Sequence, residues 1–186
     1  MQQQLLKTCE DKMKAGLEHL GTELNGVRSG RANPGLVDNI KVNVYGAETP
    51  LKAIATISTP DAKTIQIQPW DGGNLASIEK AITERQSLGL TPNNDGHVIR
   101  LNVPPMSEET RRQMVKLIHE KAELTIVSLR NARHEAINDA KSAEKKKELS
   151  RDDLGRIEKE VGVLMERYQK QVQDQVATKE TELTTT

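Results

Sequence analysis

"VRSGRANPGL", Val27 to Leu36, is where one kind of sequence gives way to another. Before it, apolar residues recur at helical spacing. After it, they alternate as they do in strands. A helix stop needs a glycine, but here Gly30 lies between Arg28 and Arg31, and a stop needs neither arginine.

Upstream, Met13, Leu17, Leu20, Leu24 and Val27 follow one another in steps of four, three, four and three, with Leu6 before them. That is a helix with one buried stripe. Gly16, Gly21 and Gly26 interrupt it, each costing about 1 kcal/mol against Ala, so partners must hold it. Downstream, Asn33-Pro34-Gly35 signals a turn, and Ile40, Val42 and Val44 share one face of a strand. Ala53 to Ser58 and Thr64 to Gln68 are two further short strands, separated by Thr59-Pro60-Asp61. Leu75, Ile78 and Ile82 mark a short helix after Gly72-Gly73-Asn74, and Val98 to Val103 alternates again.

Pro104-Pro105 closes this stretch. Ser107 then reads as an N-cap, with Glu108 and Glu109 in the first turn, where the helix dipole favours them. Ile118, Ala122, Thr125, Leu129, Ala132, Ala136 and Ala140 trace a second long helix. Continued to Leu149, it would span on the order of 60 Å at about 1.5 Å per residue. The charged segment Ser142 to Asp153 reads as a helix end and a turn, and Ser150 with Asp153 as a capping box. Leu154, Ile157, Val161, Leu164, Tyr168, Val172 and Val176 give a third helix, with a frayed tail from Glu182 to Thr186.

Three stripes can bury one another, so residues 1–30 and 105–186 are expected to form a discontinuous three-helix bundle. Residues 31–104 are expected to form an inserted β/α/β domain, which makes the fold class α+β. Hinges are expected near 28–34 and 103–106, with Gly30 and Gly35 permitting bends and Pro34, Pro104 and Pro105 stiffening the chain.

The composition suits this plan. Formal net charge is zero, which argues against a generic nucleic-acid coat but leaves room for a local basic face. Phe is absent, so the core must be aliphatic. Cys9 is the sole cysteine, which rules out an intrachain disulfide and fits a reducing compartment. No apolar run approaches the roughly 20 residues of a membrane span, and the N-terminus is too polar for a signal peptide. The expected location is cytoplasmic, or a plastid or mitochondrion after removal of a presequence.

Arg111-Arg112 opens the second helix, and Arg130, Arg133 and His134 lie in its middle. Such charges usually form a solvated face with i,i+4 ion pairs. Arg130 and Arg133, however, have no acid at i±4, so they read as unpaired forks suited to phosphates. Lys145-Lys146-Lys147 lies between Glu144 and Glu148 and reads as a solvated loop. His19, His97, His119 and His134 form no metal-ligand motif, and Cys9 reads as a small buried hydrophobe. No triad, metal or cofactor motif is present, so the chain reads as a non-enzyme without cofactor. A helical scaffold protein is the alternative, favoured by Ile126 and Ile137 on the arginine flank.

Several stretches resemble the bacterial and organellar ribosome recycling factor family. They are "VRSGRANPGL" (27–36), "VYGAETPLKAIATISTPDAKTIQIQPWD" (44–71), "IEKAI" (78–82), "LGLTPNNDGHVIRLNVPPMSEETRR" (88–112) and "LRNARHEA" (129–136), and they run in the family's order. The resemblance implies an L-shaped pair of domains and a monomer that binds the large ribosomal subunit in the intersubunit space. With elongation factor G and GTP hydrolysis, it would split the post-termination complex into subunits. It also implies rRNA contacts by Arg28, Arg31, Arg111, Arg112, Arg130 and Arg133. The chain departs from the family pattern in three places. His134 stands where a second basic residue is usual after Arg133, which implies a weaker or pH-sensitive contact. Thr110 replaces the usual acid before the arginine pair, and Thr83 to Ser87 is one residue longer than usual.

Overall fold

The structure, a computed structural model, describes residues 1–185 apart from the side chain of residue 86. Among the described residues four α-helices and six strands follow in the order α1 Gln2–Asn25, β1 Lys41–Val44, β2 Ala47–Pro50, β3 Ala55–Asp61, β4 Thr64–Pro69, α2 Leu75–Glu84, β5 Thr91–Asn94, β6 Ile99–Asn102, α3 Glu108–Lys145 and α4 Arg151–Thr184. The class is α+β. The chain divides into two compact units. One contains residues 1–24 and 116–180, and the other contains residues 25–115 together with the C-terminal residues from 181.

The first unit is a bundle of α1, α3 and α4. Met13, Leu20 and Leu24 from α1 are buried with Ile118, Leu129 and an alanine run, Ala132, Ala136 and Ala140, from α3. From α4 come Ile157, Val161, Tyr168, Val172 and Val176. The expected stripes of α3 and α4 thus face inward. Ile126, expected on the exposed arginine flank, is buried as well, because the inward face of α3 is wider than one stripe. Cys9 is buried, its thiol donating to the Ala132 carbonyl at 3.6 Å, and burial raises its pKa.

α3 stops at Lys145, short of Leu149, in a Schellman turn. Glu148 N–H reaches the Ala143 carbonyl and Lys147 N–H the Glu144 carbonyl, both at 2.9 Å, with Lys147 at φ +61°. Ser150 and Asp153 then form the expected capping box. Ser150 Oγ accepts the Asp153 N–H at 3.1 Å, and the Asp153 carboxylate accepts the Ser150 N–H at 3.3 Å.

The second unit is built on strands. β1 and β2 form a hairpin, and β3-β4-β6-β5 form an antiparallel sheet. Val42 and Val44 of β1, Ile65 and Ile67 of β4, and Ile99 and Leu101 of β6 share a core with Ile78 and Ile82 of α2. Thr59-Pro60-Asp61 continues β3 rather than separating two strands, and the hairpin turns at Ala62-Lys63. Pro60 is tolerated because β3 is an edge strand, with a register shift between Ser58 and Asp61. Helix α2 ends at Glu84 and is followed by a 3₁₀ turn, Gln86–Leu88. Helix α4 continues to Thr184 with Leu183 buried, so the tail is helical where fraying was expected. Residue 186 lies outside the described residues.

Candidate functional site

The predicted site residues fall into two groups, one in each unit. In the bundle, Arg130, Arg133 and His134 are exposed on α3, with Arg133 on the flank of its alanine-lined face. Among the described residues Arg133 has no ion-pair or hydrogen-bond partner. Arg130 does have one: its Nη1 lies 3.6 Å from Glu123 Oε1. The expectation of an unpaired Arg130 is therefore corrected. Glu123 is seven residues back, two full turns along the same face, where long side chains still meet. Both side chains are more than half exposed, so the pair is weak. Arg130 and Glu123 also line a groove of about 310 Å³ between α3 and α4, with Ile126, Val172 and Val176 at its floor. His119 closes one end of it, 2.5 Å from Glu180.

In the strand unit, Arg111 and Arg112 begin α3. Ser107 caps this helix, its Oγ accepting the Thr110 N–H at 3.2 Å. The Thr110 hydroxyl lies 2.8 Å from the same Oγ, taking the place an acid would fill in a capping box. Arg111 pairs with Glu108 at 3.0 Å and is three-quarters buried, whereas Arg112 is exposed. The Arg111 Nε is buried with no hydrogen-bond partner among the described residues.

Arg28 and Arg31 are half-buried. The Arg28 guanidinium lies over Gly89, 3.5 Å from where a β-carbon would be, and Gly89 has φ +60°. Arg31 Nη2 donates a long hydrogen bond, 3.4 Å, to the Thr185 carbonyl. Gly30 has φ +76°, a conformation that needs glycine. Gly35 does not. Its requirement is space, because the end of α1 presses on it at Asn25. Asn33 Nδ2 adds a bond to the Asn25 carbonyl at 3.3 Å, satisfying an end group of that helix. Two connecting peptides meet at the β3–β4 turn: Ala32 N–H bonds the Ala62 carbonyl and Val103 N–H the Lys63 carbonyl, both at 2.8 Å. Pro34 starts a 3₁₀ turn, and Pro104 and Pro105 lie outside regular structure.

A feature of this unit that the sequence did not suggest is the exposed trio Tyr45, Trp70 and Asp71, in which the Tyr45 hydroxyl donates to the Asp71 carboxylate. The Tyr45-Gly46 turn was its only local signal. Among the described residues no group of three or more His, Cys, Asp or Glu could hold a metal ion, and no helix is long and apolar enough to cross a membrane.

Comparison with known proteins points one way. The family model described as "Ribosome recycling factor" matches residues 20–184. The ribosome-recycling factor of Halalkalibacterium halodurans is 44% identical over 183 residues, 98% of each chain. That of Synechocystis sp. is 44% identical over 180 residues, 97% of this chain and 98% of the relative. A solution structure of ribosome recycling factor superposes with a TM-score of 0.77 at 36% identity, covering 100% of this chain and 98% of that one. Another neighbour is described as models for the T. thermophilus ribosome recycling factor and the E. coli elongation factor G bound to the E. coli post-termination complex. It gives a TM-score of 0.71 at 37% identity and 98% coverage of both chains.

Proposed function

The chain belongs to the ribosome recycling factor family, and from that premise we propose that it frees ribosomes after termination by gripping the large subunit through arginines of α3. The chain is not an enzyme: the family is a non-enzymatic translation factor, and elongation factor G is the GTPase. Bound in the intersubunit space, the factor lets elongation factor G, as it hydrolyses GTP, split the post-termination complex into subunits. The neighbour assembled with elongation factor G on a post-termination complex supports these partners.

Arg133 carries the anchoring proposal. It is exposed, it has no partner among the described residues, and it stands one turn from Arg130 on a rigid helix. Duplex RNA is recognised largely through backbone and shape, which suits a stiff rod bearing a few forked cations. Arg28, Arg31, Arg111 and Arg112 join as secondary contacts, since three of them already have partners or neighbours within the fold. His134 adds a charge only when protonated. The peptides at 28–34 and 103–106 serve as flexible points, supported by Gly30 at positive φ and by Pro104-Pro105 outside regular structure. The factor works as a monomer wherever its ribosomes are. Bacterial relatives favour the bacterial cytoplasm. The scaffold alternative loses ground because Ile126 is buried.

The test is binding to isolated large subunits across a salt series, wild type against Arg133→Ala. Wild type should bind more tightly, and the mutant's log–log salt slope should be shallower by about one. Equal binding at every salt concentration would refute arginine anchoring.

A further inference from the structure

The chain has three aromatic residues. Tyr168 is buried in the bundle, but Tyr45 and Trp70, both in the strand unit, are 86% and 69% exposed. Tyr45 is also strained. It occupies the first central position of the β1–β2 turn at φ +53°, followed by Gly46 at φ +81°. A turn with positive φ at both positions favours Asn, Asp or Gly, and other residues there cost about 1–2 kcal/mol. The fold gains little burial from this ring in return. Strain combined with exposure is the pattern of a residue held for a partner.

Both rings are held by their polar ends. The Tyr45 hydroxyl donates to the Asp71 carboxylate, and the Trp70 indole N–H donates to Thr56 Oγ1 at 2.9 Å. Asp71 also accepts the Gly73 N–H at 2.9 Å. The Tyr45 and Gly73 bonds hold its carboxyl below the usual carboxylate range, so it is ionised at neutral pH. Yet no cation pairs with it among the described residues. The nearby Lys41–Glu48 pair, at 3.1 Å, satisfies its own charge. The patch is therefore an exposed, strained tyrosine ring tied to one uncompensated carboxylate, with the exposed Trp70 next to that carboxylate in the sequence.

We infer that Tyr45 and Asp71 form a docking surface for a basic protein segment, with an arginine laid against the tyrosine ring and paired to Asp71, beside the exposed Trp70 that follows Pro69 in the sequence. Aromatic faces attract guanidinium groups, and a carboxylate beside them adds a charge-assisted bond. The same carboxylate repels phosphates, which weighs against nucleic acid. The inference is independent of anchoring by Arg133.

Trp70 is the only tryptophan, so the fluorescence of the full-length protein reports on this patch alone. The probes are a peptide of four Gly-Arg repeats and a uridine decamer, added separately at low salt. Two variants keep the fold. Asp71→Asn retains an oxygen for the Gly73 N–H, and Tyr45→Asn suits the turn better than Tyr. The arginine peptide should shift the Trp70 emission saturably, and each variant should weaken its binding about fivefold or more. Three outcomes would overturn the inference: a response to the decamer but not the peptide, a response to neither, or variants that bind the peptide as wild type does.

Discussion

Gly35 lies so close to Asn25 that a β-carbon on it would stand 2.9 Å from the Asn25 Cβ and 3.0 Å from the Asn25 carbonyl oxygen. One of the opposing atoms is backbone at the end of α1, which cannot rotate away. Gly35→Ala should therefore destabilise the strand unit by about 1–3 kcal/mol through overpacking. Gly72 is the control. A β-carbon there meets nothing within 4 Å, so Gly72→Ala should stay within about 0.5 kcal/mol. Urea unfolding followed by Trp70 fluorescence compares the two, and equal midpoints would remove the close approach from the account.

Lys147 sits in the left-handed region at the end of α3, where glycine is the usual residue. Relieving a non-glycine residue of that conformation is worth about 1–2 kcal/mol. Glycine gives back roughly 0.5–1 kcal/mol through the freedom of the unfolded chain. Lys147→Gly should stabilise the bundle by the difference, about 0.5–1 kcal/mol, seen as a higher urea midpoint at unchanged slope. Lys147→Val should move the midpoint the other way, because a branched β-carbon is worst at positive φ.

The bundle was readable because each helix has only to keep apolar residues three and four apart, and Ile118, Leu129, Ala132 and Ala136 do so. β1 and β6 were readable for the matching reason, alternation against a single core. β2 and β5 were not. Neither contains a buried residue, and β5 includes Pro92; each is a strand because of the ladder beside it, Lys41↔Pro50 in one case and Thr91↔Asn102 in the other. The site shows the same division. Spacing along α3 brought Arg130 and Arg133 to notice, but only the folded helix brings Glu123 to Arg130 from two turns away. No local pattern could show Arg31 reaching Thr185, or Tyr45 reaching Asp71 across 26 residues.

Acid should loosen both units, since several carboxylates are ionised more easily than usual. Hydrogen bonds or a neighbouring cation lower the pKa of each: Lys121 for Glu23, the Lys63 N–H for Asp61, the Tyr45 hydroxyl for Asp71, the Val98 N–H for Asp95 and the Ser150 hydroxyl for Asp153. A depressed carboxylate contributes stability that is complete above its ordinary pKa and is lost as pH falls through the depressed value. Stability should therefore be level down to about pH 5 and decline below about pH 4. Ser150→Ala removes the main cause at Asp153 along with a helix cap, so it should cost about 1 kcal/mol at neutral pH. It should also flatten part of the acid decline. A urea midpoint that stays level from neutral pH into strong acid would show that these bonds do not form.

The pair of Arg130 with Glu123 makes the anchoring proposal testable from the acidic side. At 3.6 Å, with both side chains more than half exposed, the pair adds at most about 1 kcal/mol to stability. Its larger effect is on recognition, because Glu123 competes with phosphate for the same guanidinium and places a negative charge beside the approaching backbone. Glu123→Gln should leave folding stability within about 0.5 kcal/mol and strengthen large-subunit binding roughly two- to fivefold at low salt. Added salt should shrink the gain as exposed charges are screened. The decisive comparison is a double-mutant cycle. If Glu123 acts by occupying Arg130, Glu123→Gln should lose most of its benefit in an Arg130→Ala background. A gain that survives intact there would mean that Glu123 acts only through its own repulsion and not by occupying Arg130.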